Sequence, residues 1–178
     1  IFAGIDTPVT ENFRIGLMGG FSRASYDIDD RNTTGSSNNF DIGIYGGGQW
    51  GGLGLRLGAN YTWHTLDFER AVVFSGFSET ITSEYDGRTI QAYGDIGYTF
   101  DLGGASFEPF GALAYVNVKT DDYQEGGGVA ALSGTGDKMG TGFGTLGVRA
   151  AAEFSPGVTA KGMVGWRHAF NDLETTAT

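Results

Sequence analysis

The sequence predicts an all-β chain, an antiparallel up-and-down β-barrel whose strands cross a membrane. Three observations predict it. Polar and apolar residues alternate almost everywhere, short turns alternate with long loops, and glycine is abundant while charge is scarce. Glycine takes 32 of 178 positions and proline 3, and charged residues make up 18%, against about 25% in a soluble domain. Aromatic residues reach 13%, which argues against disorder. No run of about 18 apolar residues occurs, which excludes a transmembrane helix and leaves membrane strands open. The formal charge of -10 speaks against nucleic acid as a partner, because phosphate binding needs a basic face. Cysteine is absent, so disulfides, thiolate nucleophiles and cysteine-held metals are excluded.

The elements follow in order. "IFAGID" at Ile1–Asp6 reads as the end of a strand and has no signal-peptide pattern. The chain is therefore expected to be one domain over residues 1–178, incomplete at both ends. Next, Phe13, Ile15, Leu17, Gly19 and Phe21 oppose Arg14, Met18 and Ser22. In 39–50, Phe40, Ile42, Ile44 and Trp50 oppose Asp41, Gly43, Tyr45 and Gln49. In 53–64, Leu53, Leu55, Leu57, Ala59, Tyr61 and Trp63 oppose Arg56, Asn60, Thr62 and His64. Ile90, Ala92, Ile96, Tyr98 and Phe100 oppose Gln91, Tyr93 and Asp95. Leu146, Val148 and Phe154 oppose Thr145, Arg149 and Glu153, and Val158, Val164 and Trp166 oppose Lys161, Met163 and Arg167. Period two is the strand period, with one apolar and one polar face. Over 107–118 both parities are largely apolar, and the faces stay unassigned.

The connections at 8–12, 51–52, 103–105 and 155–157 read as short turns. Those at 28–38, 69–87 and 119–139 read as long loops. All short turns then fall at one end and all long loops at the other, as in outer-membrane barrels with short periplasmic turns and long extracellular loops. The polar parity is expected to face a hydrated lumen, with Arg14, Asp41, Arg56, Asn60, Asp95, Arg149, Glu153, Lys161 and Arg167 on it. Such charges would not sit unpaired in a dry core. Trp50, Tyr61, Trp63, Tyr98, Phe100 and Trp166 gather near strand ends, where interfacial girdles form. A charge at Leu55 or Val164 should destabilise insertion by about 2–4 kcal/mol, and one at Gly58 far less.

Other motifs fail their context. Gly46, Gly48 and Gly51 spell G-x-G-x-x-G, but an alternating segment follows where a dinucleotide site needs a helix. Asp27, Asp29 and Asp30 hint at calcium, yet Arg31 and Asn32 occupy positions that an EF-hand loop cannot spare. His64 and His168 fall on opposite parities, with no ligand cluster for zinc. His64 with Asp67 reads as a polar rim pair before a protease site. Asn32 and Asn60 open glycosylation sequons that this context leaves unused.

Six phrases carry a family likeness: "FRIGLMGGFSRASYDIDDRN", "DIGIYGGGQWGGLGLRLGANYTWHTLDF", "RTIQAYGDIGYTF", "FEPFGALAYVNVKTDDYQEGGGVAALSG", "GFGTLGVRAAAEF" and "KGMVGWRHAFND". In this order they resemble the C-terminal β-domain of bacterial autotransporters (type V secretion). "GWRHAF" and "GALAYVNV" are the most specific. The resemblance implies an outer-membrane barrel of about twelve strands, eight of them here, that exports and displays an N-terminal passenger. It implies outer-membrane lipid and lipopolysaccharide, the passenger, the barrel-assembly machinery and periplasmic chaperones as partners. It implies no enzyme activity, no cofactor and no metal. Asp41, Asp95 and Glu153 take no catalytic role. The alternatives are a self-contained eight-strand anchor or adhesin, and an outer-membrane hydrolase with its site in the long loops.

Overall fold

The computed structural model describes residues 1–28, 33–155 and 157–170. All its elements are strands. They are β1 (Phe2–Thr10), β2 (Phe13–Ile28), β3 (Thr33–Trp50), β4 (Leu53–Phe74), β5 (Phe77–Tyr98) and β6 (Phe100–Asp101). Then come β7 (Ala105–Thr120), β8 (Tyr123–Gln124), β9 (Ser133–Gly134), β10 (Lys138–Ser155) and β11 (Val158–Ala169).

One sheet runs β1-β2-β3-β4-β5-β7-β10-β11, every neighbour antiparallel, with the two-residue β6 paired to β7. Each strand pairs with the next long strand in the chain, which is up-and-down topology. The sheet is open, with β1 and β11 as its edges. The small β8–β9 pair forms a second sheet inside the β7–β10 connection.

The turns are tighter and the strands longer than the sequence suggests. β1 continues through Pro8 to Thr10, with its register shift between those two residues. Proline, which lacks an N–H for the ladder, is tolerated on an edge strand. Gly51 takes φ +60, a left-handed turn position that favours glycine, so the glycine-rich motif is strand, turn and strand. The supposed loop at 69–87 is a ladder, paired from Glu69↔Thr82 to Phe74↔Phe77. Thr, Ile, Val and Phe there suit a pleated surface, and Phe74 stacks on Phe77 at 4.6 Å. Likewise β3 begins at Thr33, inside the expected 28–38 loop. The Asp29, Asp30, Arg31 and Asn32 part of the calcium motif lies outside the described residues.

Burial is inverted relative to a soluble domain. Ile42, Ile44, Ile96, Leu146 and Val164 are more than half exposed, while Thr62, Thr89, Thr141 and Asp95 are buried. The register explains this. Thr62, Thr89 and Asp95 share one face, and the isoleucines occupy the other.

Candidate functional site: a charged face backed by an apolar wall

The cross-strand register assembles one polar row after another. Arg14, Gly47, Arg56, Asp95, Ala112, Thr145 and Arg167 stand directly opposite one another across β2 to β11. Asp41, Thr62, Thr89 and Val118 form another row on the same face.

Arg56 and Asp95 of the first row close a charged quartet with Glu108 and Arg149, which face each other across β7 and β10. Arg56 Nη1 donates to Asp95 Oδ1 at 2.6 Å and to Glu108 Oε1 at 2.9 Å. Arg149 Nη1 donates to Glu108 Oε1 at 2.6 Å, and its Nη2 reaches Asp95 Oδ2. The guanidinium of Arg149 also lies 3.7 Å from the centroid of the Phe110 ring, a cation–π contact. Glu108 on β7 thus reaches Arg56 on β4 across the intervening β5. Asp95 is 7% exposed and Glu108 13%, while Arg56 and Arg149 keep 45% and 31%. The carboxylates lie deep and the arginine heads meet solvent.

Smaller groups continue the same face. Arg14 Nε donates to Asp6 Oδ1 at 2.6 Å, and the Tyr45 hydroxyl donates to Asp6 Oδ2 at 3.5 Å. The Thr62 hydroxyl lies 2.6 Å from Asp41 Oδ1 and 2.9 Å from Asn60 Oδ1. Arg167 Nε donates to Thr145 Oγ1 at 3.2 Å. Among the described residues neither Glu153 nor Lys161 joins an ion pair. His64 bonds Asn39 Oδ1 at 2.7 Å and Thr89 Oγ1 at 2.8 Å. It does not reach Asp67, whose carboxylate meets Ser36 on the opposite face. His168 stacks on Trp166 at 5.5 Å on the apolar face. The two histidines therefore have no common ligand, and no group of three His, Asp or Glu fit for a metal occurs among the described residues.

Glycine serves this face by leaving room for rings. A Cβ on Gly58 would lie 2.5 Å from the Tyr93 ring directly opposite. A side chain at Gly58 pushes the half-exposed Tyr93 ring aside, a steric cost that comes in addition to that of the charge.

The apolar face carries aromatic residues in two zones, apart from the inward Tyr45, Tyr93 and Phe110. Near the short turns, Trp50 stacks with Phe13 at 6.3 Å and Phe100 with Phe107 at 4.8 Å, and Tyr98 packs at a tilt on Phe100 at 4.9 Å. Ten positions up β4, Trp63 packs on Tyr61 at 4.4 Å, and on β2 and β3 Phe21 packs on Phe40 at 5.0 Å.

Sequence reasoning missed two things. Glu108 lies in the segment whose faces were unassigned; register places its even-numbered residues on the charged face, opposite Arg149. The second is the β7–β10 connection, which folds back onto the β4–β5 hairpin. Arg70 holds Glu125 through paired bonds of 3.0 and 2.6 Å, and Gly126 bridges Thr82. Glu79 accepts the N–H groups of Val129 and Ala130, and Tyr85 meets Tyr123 at 5.7 Å. The Arg70 guanidinium holds the Glu125 carboxyl below its ordinary range.

The whole chain, residues 1–178, matches the family model described as autotransporter beta-domain. An extracellular serine protease of Serratia marcescens is 33% identical over 98% of this chain, and a second one is 30% identical. The chain spans 17% of the length of these curated relatives. Among solved structures, the translocator domain of autotransporter NalP from Neisseria meningitidis superposes with a TM-score of 0.79 at 18% identity. That match covers 96% of this chain and 59% of NalP's. The β-domain of the Bordetella autotransporter BrkA gives a TM-score of 0.52 at 14% identity, over 95% and 77% of the two chains.

Proposed function

Since the chain belongs to the autotransporter β-domain family, we propose that it forms eight adjacent strands in the wall of a translocator barrel and that its charged face lines the pore. The domain is an outer-membrane translocator and anchor, and its place is the outer membrane of a Gram-negative bacterium. The observation that carries the finer reading is the inverted burial. A wall with aliphatic residues outside and paired charges inside suits lipid on one side and water on the other.

In this reading the short turns face the periplasm and the long hairpins the cell surface. The apolar band between Leu53 and Trp63 takes 11 strand residues, the length of a tilted membrane crossing. Arg14, Asp41, Arg56, Asn60, Asp95, Arg149, Glu153, Lys161 and Arg167 keep the lumen hydrated. Trp50, Tyr98 and Phe100 mark the periplasmic interface, and Tyr61, Trp63 and Trp166 the upper half of the wall. The open edges at β1 and β11 pair with further strands of a barrel of about twelve, because an unpaired edge in lipid leaves backbone groups without partners.

The passenger is a covalently linked N-terminal segment, and the barrel-assembly machinery and periplasmic chaperones deliver the domain to the membrane. The wall itself performs no bond chemistry. The protease named in the relatives is a property of those whole proteins, of which this chain spans 17%. Surface labelling of an epitope placed upstream of this domain in intact cells tests the reading. Display that survives removal of the domain would overturn it.

A further inference from the structure

Three cations stand side by side on the outward face. Register sets Arg88 opposite Lys119, and Lys119 opposite Lys138, on β5, β7 and β10. The same row continues backward as Trp63, Phe40 and Phe21. Like charges directly opposite in a sheet destabilise it, so this row costs stability unless an anion joins it. Arg14, Arg56, Arg70 and Arg149 each have a carboxylate partner. Arg88 and Lys138 have none among the described residues, and Lys119 shares its ammonium with the exposed Asp121 at 3.3 Å. Asp86, two positions from Arg88 on the same face of β5, accepts the Thr65 hydroxyl. A chain of net charge -10 with 11 basic residues has little reason to stack three of them by accident of composition.

Height above the short turns says what the row faces. Trp63 and Arg88 each stand 10 positions from the short-turn ends of their strands, Leu53 and Tyr98. Lys119 stands 14 from Ala105, and Lys138 stands 17 from Ser155. Barrel strands tilt by about 40°, so a cross-strand row climbs relative to the membrane. The cations therefore start at the aromatic level and rise through the headgroup layer. A single phospholipid phosphate meets one of them; a glycolipid with phosphates at several depths meets all three.

We propose that Arg88, Lys119 and Lys138 form a docking row for the phosphate groups of outer-leaflet lipopolysaccharide, whose acyl chains lie on the apolar face below. This rests on the reading that the apolar face meets lipid.

The test uses the full-length protein in detergent–lipid micelles and displacement of fluorescent bis-phosphorylated lipid A. Each cation near a charged membrane surface is worth roughly fivefold in affinity. Arg88→Gln, Lys119→Gln and Lys138→Gln should each weaken binding by about that factor, and the triple variant should lose the preference for phosphorylated over dephosphorylated lipid A. Arg23→Gln, on the same face but on β2, should change nothing. Should the triple variant lose heat-modifiable migration, the exposed Lys138→Gln decides alone. Unchanged affinity, equal competition by the dephosphorylated glycolipid, or displacement by millimolar inorganic phosphate overturns the proposal. Tryptophan quenching by brominated acyl chains reports the face assignment separately. If quenching is present and the glycolipid preference absent, only the docking row has failed.

Discussion

The quartet on β4, β5, β7 and β10 and the Arg70–Glu125 clasp are both arginine–carboxylate contacts, yet they hold different things. The quartet ties together strands that the backbone ladder already joins. The clasp ties the 121–137 connection, which has only the short β8–β9 pair of its own, to the β4–β5 hairpin. Removing charge in the first region acts on a laddered sheet; removing it in the second releases a strap. Surface ion pairs are weak in general, so what distinguishes the two is how much other structure depends on each.

The largest effect should come from breaking the distinction between the faces. Val164→Arg places a cation on the outward wall and should cost about 2–4 kcal/mol of insertion free energy. Gln91→Arg, inward on β5, should cost under about 1 kcal/mol on the same scale. Denaturant titration of heat-modifiable migration from liposomes measures both, and equal losses would reverse the face assignment.

Next comes the quartet. Asp95→Ala leaves two guanidiniums sharing Glu108 and should cost about 1–3 kcal/mol, the range for stranding polar groups. Combined with Glu108→Ala the losses should be non-additive, as expected within one network. Additive losses would mean that the two carboxylates act separately.

Gly58→Ala should cost about 0.5–1.5 kcal/mol, the cost of pushing the half-exposed Tyr93 ring off its rotamer, and Tyr93→Ala in the same chain should recover part of it. No recovery would place the cost in the glycine backbone.

The smallest effect is local and depends on pH. Glu125 titrates below its ordinary value when folded. Its contribution is therefore complete above the ordinary carboxylate range and is lost as pH falls through the depressed value. Protection of 121–137 against hydrogen exchange should fall in that acidic window while β4 and β5 stay protected. Glu125→Gln should give the same exposure at neutral pH.

These two regions also differ in how far the sequence reveals them. The strands around Ile42, Leu57 and Ile96 are legible because one parity faces apolar surroundings and the other water, so the pattern survives in the residue types. The opposition of Arg56 and Asp95 follows once the β4–β5 register is fixed by the turn between Phe74 and Phe77. Phe110 hides the pattern on β7: it is apolar but lies on the charged face, covered by the Arg149 guanidinium. Beyond Trp63 the pattern inverts along the β4–β5 hairpin: Leu66, Phe68, Ile81 and Tyr85 take the inward face, where Ile81 is buried and Tyr85 meets Tyr123 of the folded-back connection, and Asp67, Glu69, Glu84 and Asp86 face outward. Its Ser, Thr and Glu residues then read as loop, although the ladder continues to Phe74. The fold-back of Glu125 onto Arg70 joins residues 55 positions apart, and no local pattern announces such a contact.

The ladder itself has a parity that behaves like a checksum. Register shifts occur on the two edge pairs, near Pro8 and near Ser155, both beside short turns. Between β2 and β10 the pairing runs without a slip. One residue gained or lost inside the band would transpose the rest of that strand's side chains between water and lipid, turning a single insertion into a many-site error. The hairpin beyond Trp63 can absorb the same change at its tip. Variation in length among proteins built this way should therefore accumulate at the cell-surface tips, while within the band it should be confined to steps of two.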